Sequence, residues 1–140
     1  MPLGYLLDTN VCIHIIRHHP PEVRARFAQH RADEMGMSVV TFGELVYGAE
    51  RSQLREKALK ALDRLRSSIR VLEMPAATCQ HYGQIRARLE QMGQPIGNND
   101  LWIAAHARSE NLVLVTNNTR EFGRVEGLRM ENWVSSRNPP

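Results

Sequence analysis

Short apolar runs alternate with longer amphipathic stretches along the whole of this 140-residue chain. Apolar runs bounded by polar or turn-forming residues are typical of buried β-strands. They predict strands at residues 3–7, 35–39, 70–72, 112–115 and 129–131. Apolar residues that recur every three or four positions predict helices instead. These helices fall at residues 11–17, 22–30, 41–51, 53–67, 75–93 and 101–108, with Asn10 as the candidate N-cap of the first.

This alternation of strands and helices predicts a single α/β domain. The strands are short, apolar and uninterrupted, as in a parallel sheet whose faces are both covered. We therefore expect a central parallel sheet flanked by helices on both faces over residues 1–134. Residues 116–122 are predicted to form a polar turn with one helical turn, and residues 135–140 a short polar tail.

Composition narrows the class of protein. The hydrophobic fraction of 42% and the charged fraction of 24% are ordinary for a globular domain. No apolar run approaches the roughly 18 residues that a membrane span needs, and no signal peptide is apparent. Cys12 and Cys79 lie far apart, without a zinc-binding spacing. We expect both thiols to be buried and the protein to be cytoplasmic.

The cationic residues are unusually biased toward arginine. The net charge is only +3, yet sixteen arginines accompany two lysines. The planar guanidinium group suits phosphate, which favours a polyanionic partner such as nucleic acid. A solvated, salt-bridged helix surface explains the same composition, so both interpretations stay open.

Three carboxylates occupy unusually apolar surroundings. Asp8 ends the first apolar run, Glu44 is the one charge in residues 38–47, and Asp100 directly precedes an apolar helix. Each has a simple local explanation, as a turn former or as an acid near a helix start. A carboxylate among apolar neighbours nevertheless costs several kcal/mol unless it is compensated. Three such carboxylates converging on one site would require a cation.

The predicted topology favours that convergence. Sites in open parallel sheets form beyond the carboxyl ends of the strands, where both Asp8 and the segment 116–121 are expected. Carboxylate ligands select hard cations such as Mg2+ or Mn2+. Such an ion can activate a water and offset charge on a phosphodiester. The residues therefore predict a metal-dependent enzyme.

Five motifs then occur in order. They are Leu7-Asp8-Thr9-Asn10, residues 41–49 around Glu44, residues 95–107 around Asp100, residues 115–122, and residues 127–133. Together they span nearly the whole chain. The set resembles the PIN-domain ribonucleases of the VapC toxin type, which belong to bacterial type II toxin–antitoxin pairs.

The resemblance implies an acidic pocket in which Asp8, Glu44 and Asp100 hold Mg2+ or Mn2+. A fourth acid usually follows the threonine of the fourth motif, but this chain has Asn117 and Asn118 there, and then Glu121. Either Glu121 acts through a water or Asn117 acts as a ligand, and the resemblance does not choose between them. Thr116 and Asn10 are expected to orient waters or acids by hydrogen bonds.

The resemblance also implies partners. These are a cognate VapB-type antitoxin that blocks the pocket, a second copy of the chain in a homodimer, and a structured RNA substrate. Transfer RNA anticodon stem-loops are the expected target. Arg120 and Arg124, close to the presumed catalytic edge, are the candidate RNA-binding residues.

Three other function classes would account for parts of the sequence. A ribonuclease with histidine acid–base catalysis would need His18, His19 or His106 to meet, which their spacing does not require. A phospho-acceptor domain would need a lysine after a late strand, whereas Lys57 and Lys60 lie within one helix. A non-catalytic nucleic-acid-binding or interaction module on the same scaffold remains the main alternative.

Overall fold

The structure is a computed structural model that describes residues 3–134. Its strands are β1 (Tyr5–Leu7), β2 (Met35–Ser38), β3 (Arg70–Leu72), β4 (Val113–Val115) and β5 (Met130–Glu131). Its α-helices are α1 (Thr9–Arg17), α2 (Pro21–Ala28), α3 (Val39–Glu50), α4 (Arg55–Arg66), α5 (Thr78–Gln91), α6 (Asn98–Ser109) and α7 (Thr119–Phe122). A single 3-10 turn, Ala32–Glu34, precedes β2. The predicted tail at residues 135–140 lies outside the described residues.

The five strands form one parallel sheet in the order β3-β2-β1-β4-β5. Because successive strand residues face opposite sides of a sheet, each central strand contributes to two cores. Leu7 packs into one core with α1, α3 and α4, and Leu6 packs into the other with α5 and α6. The prediction of a parallel α/β sheet with helices on both faces is confirmed.

The carboxyl ends of the central strands β1 and β4 lie side by side at one edge of the sheet. Leu7 of β1 pairs with Val115 of β4, so the next residues, Asp8 and Thr116, leave the sheet side by side. The Asp8 amide donates a hydrogen bond of 3.0 Å to the Val115 carbonyl. This register places the predicted acidic segment and the polar segment after β4 next to each other.

Two helix starts differ from the prediction because a side chain caps the helix earlier. Asp8, and not Asn10, is the N-cap of α1, since its carboxylate accepts from the Val11 amide at 2.9 Å. Ser38 caps α3 by accepting from the Val40 amide at 3.2 Å, so this helix begins at residue 39 and not 41. Glu44 consequently lies in the second turn of α3 and not in its first.

Smaller corrections concern other boundaries and one cysteine. Helix α5 begins at Thr78, three residues after Pro75, because the 75–77 segment forms a turn closed by the Thr78 amide on the Pro75 carbonyl. Cys12 is buried as expected, whereas Cys79 is exposed on α5, so the prediction of two buried thiols was wrong for Cys79. Within residues 3–134, no helix is both long and apolar enough to cross a membrane.

Candidate active site

Asp8 is held in place by the end of β1 and the start of α1. Its side chain is only 4% exposed. The carboxylate accepts a hydrogen bond from the Val11 amide and another from the hydroxyl of Thr116, which is completely buried. The Thr116 hydroxyl in turn accepts from the Asn118 amide at 2.9 Å. The Val11 amide and the Thr116 hydroxyl together fix the direction of the Asp8 carboxylate.

Burial dominates the electrostatics of Asp8. The pKa of Asp8 is raised to about 6 from an ordinary 3.8, mainly by loss of solvent and to a lesser extent by the negative charge of Glu44. Hydrogen bonds from Thr116, Val11 and the Asn10 backbone oppose the rise without cancelling it. The carboxylate is therefore held in surroundings that disfavour its charge.

Glu44 reaches the same place from α3. The Thr9 hydroxyl, at the start of α1, donates to its Oε1 at 2.5 Å. The Asn99 side-chain amide, in the first turn of α6, donates to its Oε2 at 3.1 Å. Each carboxylate oxygen is thus tied to a different helix. Glu44 is fixed relative to both aspartates because Asp8 precedes Thr9 and Asp100 follows Asn99.

Asp100 is the third residue of α6 and lies half-buried in an open depression with Glu44, Gly97, Asn98 and Asn99. Its pKa is raised to about 6, first by burial and then by the charges of Asp8, Glu121 and Glu44. The negative charges of the other three acids therefore act on the Asp100 carboxylate. The structure brings all four predicted catalytic carboxylates into one electrostatic cluster.

Glu121 and Asn117 occupy different positions. Glu121 lies on α7, half-buried, and its charge contributes to the raised pKa of Asp100. Asn117 is exposed in the turn after β4. Of the two candidates for the fourth position, Glu121 is the one that interacts with the acids.

The cluster fits a hard cation. None of its four acids forms a salt bridge with an arginine, lysine or histidine in the part of the chain that the structure describes. Within residues 3–134, however, no three Asp, Glu, His or Cys side chains are placed so that together they could hold a metal ion directly. Mg2+ suits this arrangement because it keeps several waters and needs only one or two direct carboxylates.

The other predicted residues lie on α1, on α7 and directly after α7. Asn10 is exposed in the first turn of α1 and contributes its backbone to Asp8. Arg120 is exposed on α7 and forms no hydrogen bond or ion pair with any described residue. Arg124 donates to the Pro95 carbonyl at 3.2 Å and borders a cavity between α5 and α6.

Sequence reasoning missed the roles of Thr9 and Asn99. Both hold Glu44, which lies 35 residues from Thr9 and 55 residues from Asn99 along the chain. The one sequence signal was that each directly adjoins a predicted metal-binding aspartate. The histidine alternative finds no support, because His106 is completely buried whereas His18 and His19 are exposed.

Comparison with known proteins decides the family. A sequence model of the PIN domain matches residues 5–128. The chain belongs to the PIN-domain family. Within that family it is 50% identical over 131 residues to the tRNA(fMet)-specific endonuclease VapC of Shigella flexneri, covering 94% of this chain and 98% of that protein. It is 46% identical over 132 residues to ribonuclease VapC2 of Haemophilus influenzae, covering 94% and 99%.

Solved structures agree with this PIN-domain assignment. A chain in the crystal structure of DNA-bound VapBC from Salmonella typhimurium superposes with a TM-score of 0.89 at 43% identity. The match covers 94% of this chain and 99% of that one. The acidic cluster described above therefore belongs to a PIN domain of the VapC ribonuclease type.

Proposed function

We propose that this PIN-domain protein is a divalent-metal-dependent endoribonuclease and the toxin of a type II toxin–antitoxin pair. The observation that carries the proposal is the cluster of Asp8, Glu44, Asp100 and Glu121 at the carboxyl edge of the sheet. Four carboxylates without a cationic side chain among them are expensive to hold together unless a metal ion compensates their charge. Membership of the VapC family supports the same reaction.

Each acid has a proposed role. Asp8, Glu44 and Asp100 would hold Mg2+ or Mn2+, one or two of them directly and the rest through waters, and Glu121 would contact it through a water. The chemistry supplied by such a cation when bound is a more acidic water and an offset for the charge of the phosphodiester. Thr116 keeps the Asp8 carboxylate aimed into the site, and Thr9 and Asn99 do the same for Glu44. Asn10 and Asn117 are exposed beside the cluster, where they could orient waters or substrate.

The proposed substrate is structured RNA, with a tRNA anticodon stem-loop as the specific target. This rests on the Shigella flexneri relative, named as a tRNA(fMet)-specific endonuclease, at 50% identity. Arg120 supports it as a candidate phosphate contact, because its guanidinium is exposed and pairs with no described residue. Arg124, behind α7, is a second candidate.

The proposed partners are a VapB-type antitoxin and a second copy of the chain. The antitoxin is inferred from the likeness to chains of VapBC complexes, among them those of Salmonella typhimurium and Haemophilus influenzae. It would inhibit cleavage by covering the acidic depression. The homodimer and the cytoplasmic location rest on the sequence resemblance and on the cysteine pattern, and they stay predictions.

The test is cleavage of a total small-RNA pool by purified, antitoxin-free protein. Reactions would contain Mg2+, Mn2+ or EDTA and compare wild type with Asp100→Asn. Asp63→Asn, which changes an exposed aspartate of α4, is the matched control. We expect discrete fragments with either metal for wild type and Asp63→Asn, and none for Asp100→Asn. Folded protein that gives no metal-dependent fragments would favour a non-catalytic binding module instead.

A further inference from the structure

A cavity bordered by α5 lies outside the acidic cluster and is lined by both apolar and basic residues. It has a volume of about 420 Å³ and lies between α5, the end of α6 and the segment after α7. Its polar lining comprises Arg88, Arg108, Arg124, Glu126, His81 and Gln84. Three arginines against one glutamate give a net charge of +2 when the histidine is neutral.

Arg108 organises this lining. Its guanidinium donates to His81 Nδ1 at 2.8 Å, to Gln84 Oε1 at 2.9 Å and to the Glu126 carbonyl at 2.9 Å. Since His81 accepts this bond at Nδ1, Nε2 is the ring nitrogen left for other contacts. These bonds occupy His81 Nδ1 and one acceptor site of Gln84 Oε1.

Two of the three arginines lack a carboxylate partner. Within residues 3–134, Arg88 pairs with Glu126 at 3.1 Å, but neither Arg108 nor Arg124 forms a salt bridge. The single hydrogen bond from Arg124 to the Pro95 carbonyl leaves most of its N–H groups available. A cavity with two guanidinium groups that lack a carboxylate partner is suited to a phosphate group.

A smaller depression shares one lining residue with this cavity and another with the open acidic site. Leu89 lines both the cavity and a smaller depression beside Pro95 and Ile96. Asn98 lines that depression and also the open site that holds Glu44 and Asp100. Arg108 follows Asp100 by eight residues of α6, which is about 12 Å of helix rise. One extended polyanion can therefore reach both places.

We propose that this cavity binds a backbone phosphate of the RNA substrate at a distance from the scissile bond. The inference rests on the proposed function and extends it from cleavage to the positioning of the substrate. Arg124 and Arg108 supply the positive charge, and Glu126 opposes the anion. The site therefore predicts opposite effects for two charge changes on its rim.

The variants are Arg124→Gln and Glu126→Gln, with Arg70→Gln on the exposed edge of β3 as the control. Arg108 is left intact because its three hydrogen bonds join α5 to the segment after α7. The first probe is inorganic phosphate, followed by NMR of the arginine side-chain N–H signals. The second is a fluorescent RNA hairpin, whose affinity is measured in EDTA over a range of salt concentrations so that cleavage plays no part.

We expect Arg124→Gln to weaken phosphate binding about tenfold, as the loss of one charge-assisted contact does. It should also lower the salt dependence of RNA binding by about one phosphate equivalent. Glu126→Gln should tighten binding of both probes, and Arg70→Gln should match wild type. If Arg124→Gln changed the binding of inorganic phosphate but not the binding of the RNA hairpin, the cavity would be a site for a free phosphate ester and the RNA assignment would be overturned.

Unchanged binding of both probes in both variants would overturn the site altogether. These outcomes are distinct from a failure of the proposed function, since RNA binding in EDTA is independent of cleavage. A protein that cleaves RNA with Mg2+, yet binds RNA identically in wild type and Arg124→Gln, would retain the nuclease assignment and lose this site.

Discussion

His106 Nδ1 lies 2.8 Å from Ser38 Oγ in the fully buried interior between α6 and the start of α3. The Ser38 hydroxyl also caps α3 by accepting from the Val40 amide. The pair thus joins the helix that carries Asp100 to the cap of the helix that carries Glu44. Burial lowers the pKa of His106, with Glu110 and the Glu73 backbone acting in the opposite direction. The neutral ring is therefore favoured, and its Nδ1 shares one hydrogen bond with Ser38 Oγ.

Removal of either partner should destabilise the protein through a shared interaction. We expect Ser38→Ala to lower the free energy of unfolding by about 1–3 kcal/mol, because it loses a helix cap and leaves the histidine nitrogen unpaired. Urea denaturation of Ser38→Ala, His106→Leu and the double variant would give a coupling energy of about 1 kcal/mol. Strictly additive effects would contradict a direct link between the two side chains.

The buried carboxyl of Asp8 predicts an unusual pH dependence of stability. With its pKa raised to about 6 from 3.8, the folded protein holds the proton more tightly than the unfolded chain does. The stabilisation that comes from this more tightly held proton is fully present below about pH 4 and is lost as pH rises through 6. In EDTA, Asp8→Asn keeps a helix cap and avoids this loss. The free energy of unfolding of Asp8→Asn should exceed that of wild type by at most about 3 kcal/mol at pH 7.

Thermal or urea denaturation between pH 4 and pH 8 measures this difference. The advantage of Asp8→Asn should shrink toward zero at pH 4. Asp63→Asn should follow wild type within about 0.5 kcal/mol throughout, as expected for an exposed position. An advantage that stays constant across this range would show that burial of the Asp8 charge is not its source.

The two donors that hold Glu44 should control metal affinity. Thr9→Val removes the hydroxyl bonded to Oε1, and Asn99→Ala removes the amide bonded to Oε2. Loss of groups that orient metal ligands costs about 10–100-fold in metal affinity or activity. We expect each variant to need at least tenfold more Mg2+ for half-maximal cleavage.

Asn98→Ala is the neighbouring control, because the Asn98 side chain accepts from Tyr82 and forms no hydrogen bond with Glu44. Binding of Mn2+ without RNA gives an independent readout of the same affinity. If Thr9→Val and Asn99→Ala bound Mn2+ as tightly as Asn98→Ala does, the orientation of Glu44 would be irrelevant to the metal.

Glu121, and not Asn117, should act as the fourth acid. Glu121 raises the pKa of Asp100 by its charge, whereas Asn117 is exposed. Glu121→Gln should lower the cleavage rate at saturating Mg2+ by about tenfold or more. Asn117→Ala should stay close to wild type. If Asn117→Ala lowered the cleavage rate more than Glu121→Gln did, Asn117 and not Glu121 would occupy the fourth position.

Much of the fold was predictable because local pattern and tertiary environment agree. Residues 112–115 form a nearly continuous apolar run, and Val113–Val115 is indeed a central strand. The start of α3 was missed for a physical reason. Val39 and Val40 are β-branched and prolong the apolar run of β2, so only the Ser38 cap shows that the helix has begun.

The site was predictable in part for a related reason. Asp8 and Asp100 stood out because charge within an apolar segment is visible in the sequence itself. The bonds that hold Glu44 were not visible, since they join α1 and α6 to α3 across 35 and 55 residues. The choice between Glu121 and Asn117 likewise depended on the path of the chain after β4, which the polar segment 116–122 does not encode by periodicity.

The most direct test of the acidic cluster compares metal binding with catalysis on the same samples. Calorimetric titration of Mg2+ and Mn2+ would be paired with initial rates of RNA cleavage for wild type, Asp100→Asn and Asp63→Asn. We predict that wild type and Asp63→Asn bind the metal at the concentrations that activate cleavage, and that Asp100→Asn loses both binding and cleavage while remaining folded. Undiminished cleavage in Asp100→Asn, or full wild-type cleavage in EDTA, would contradict the account.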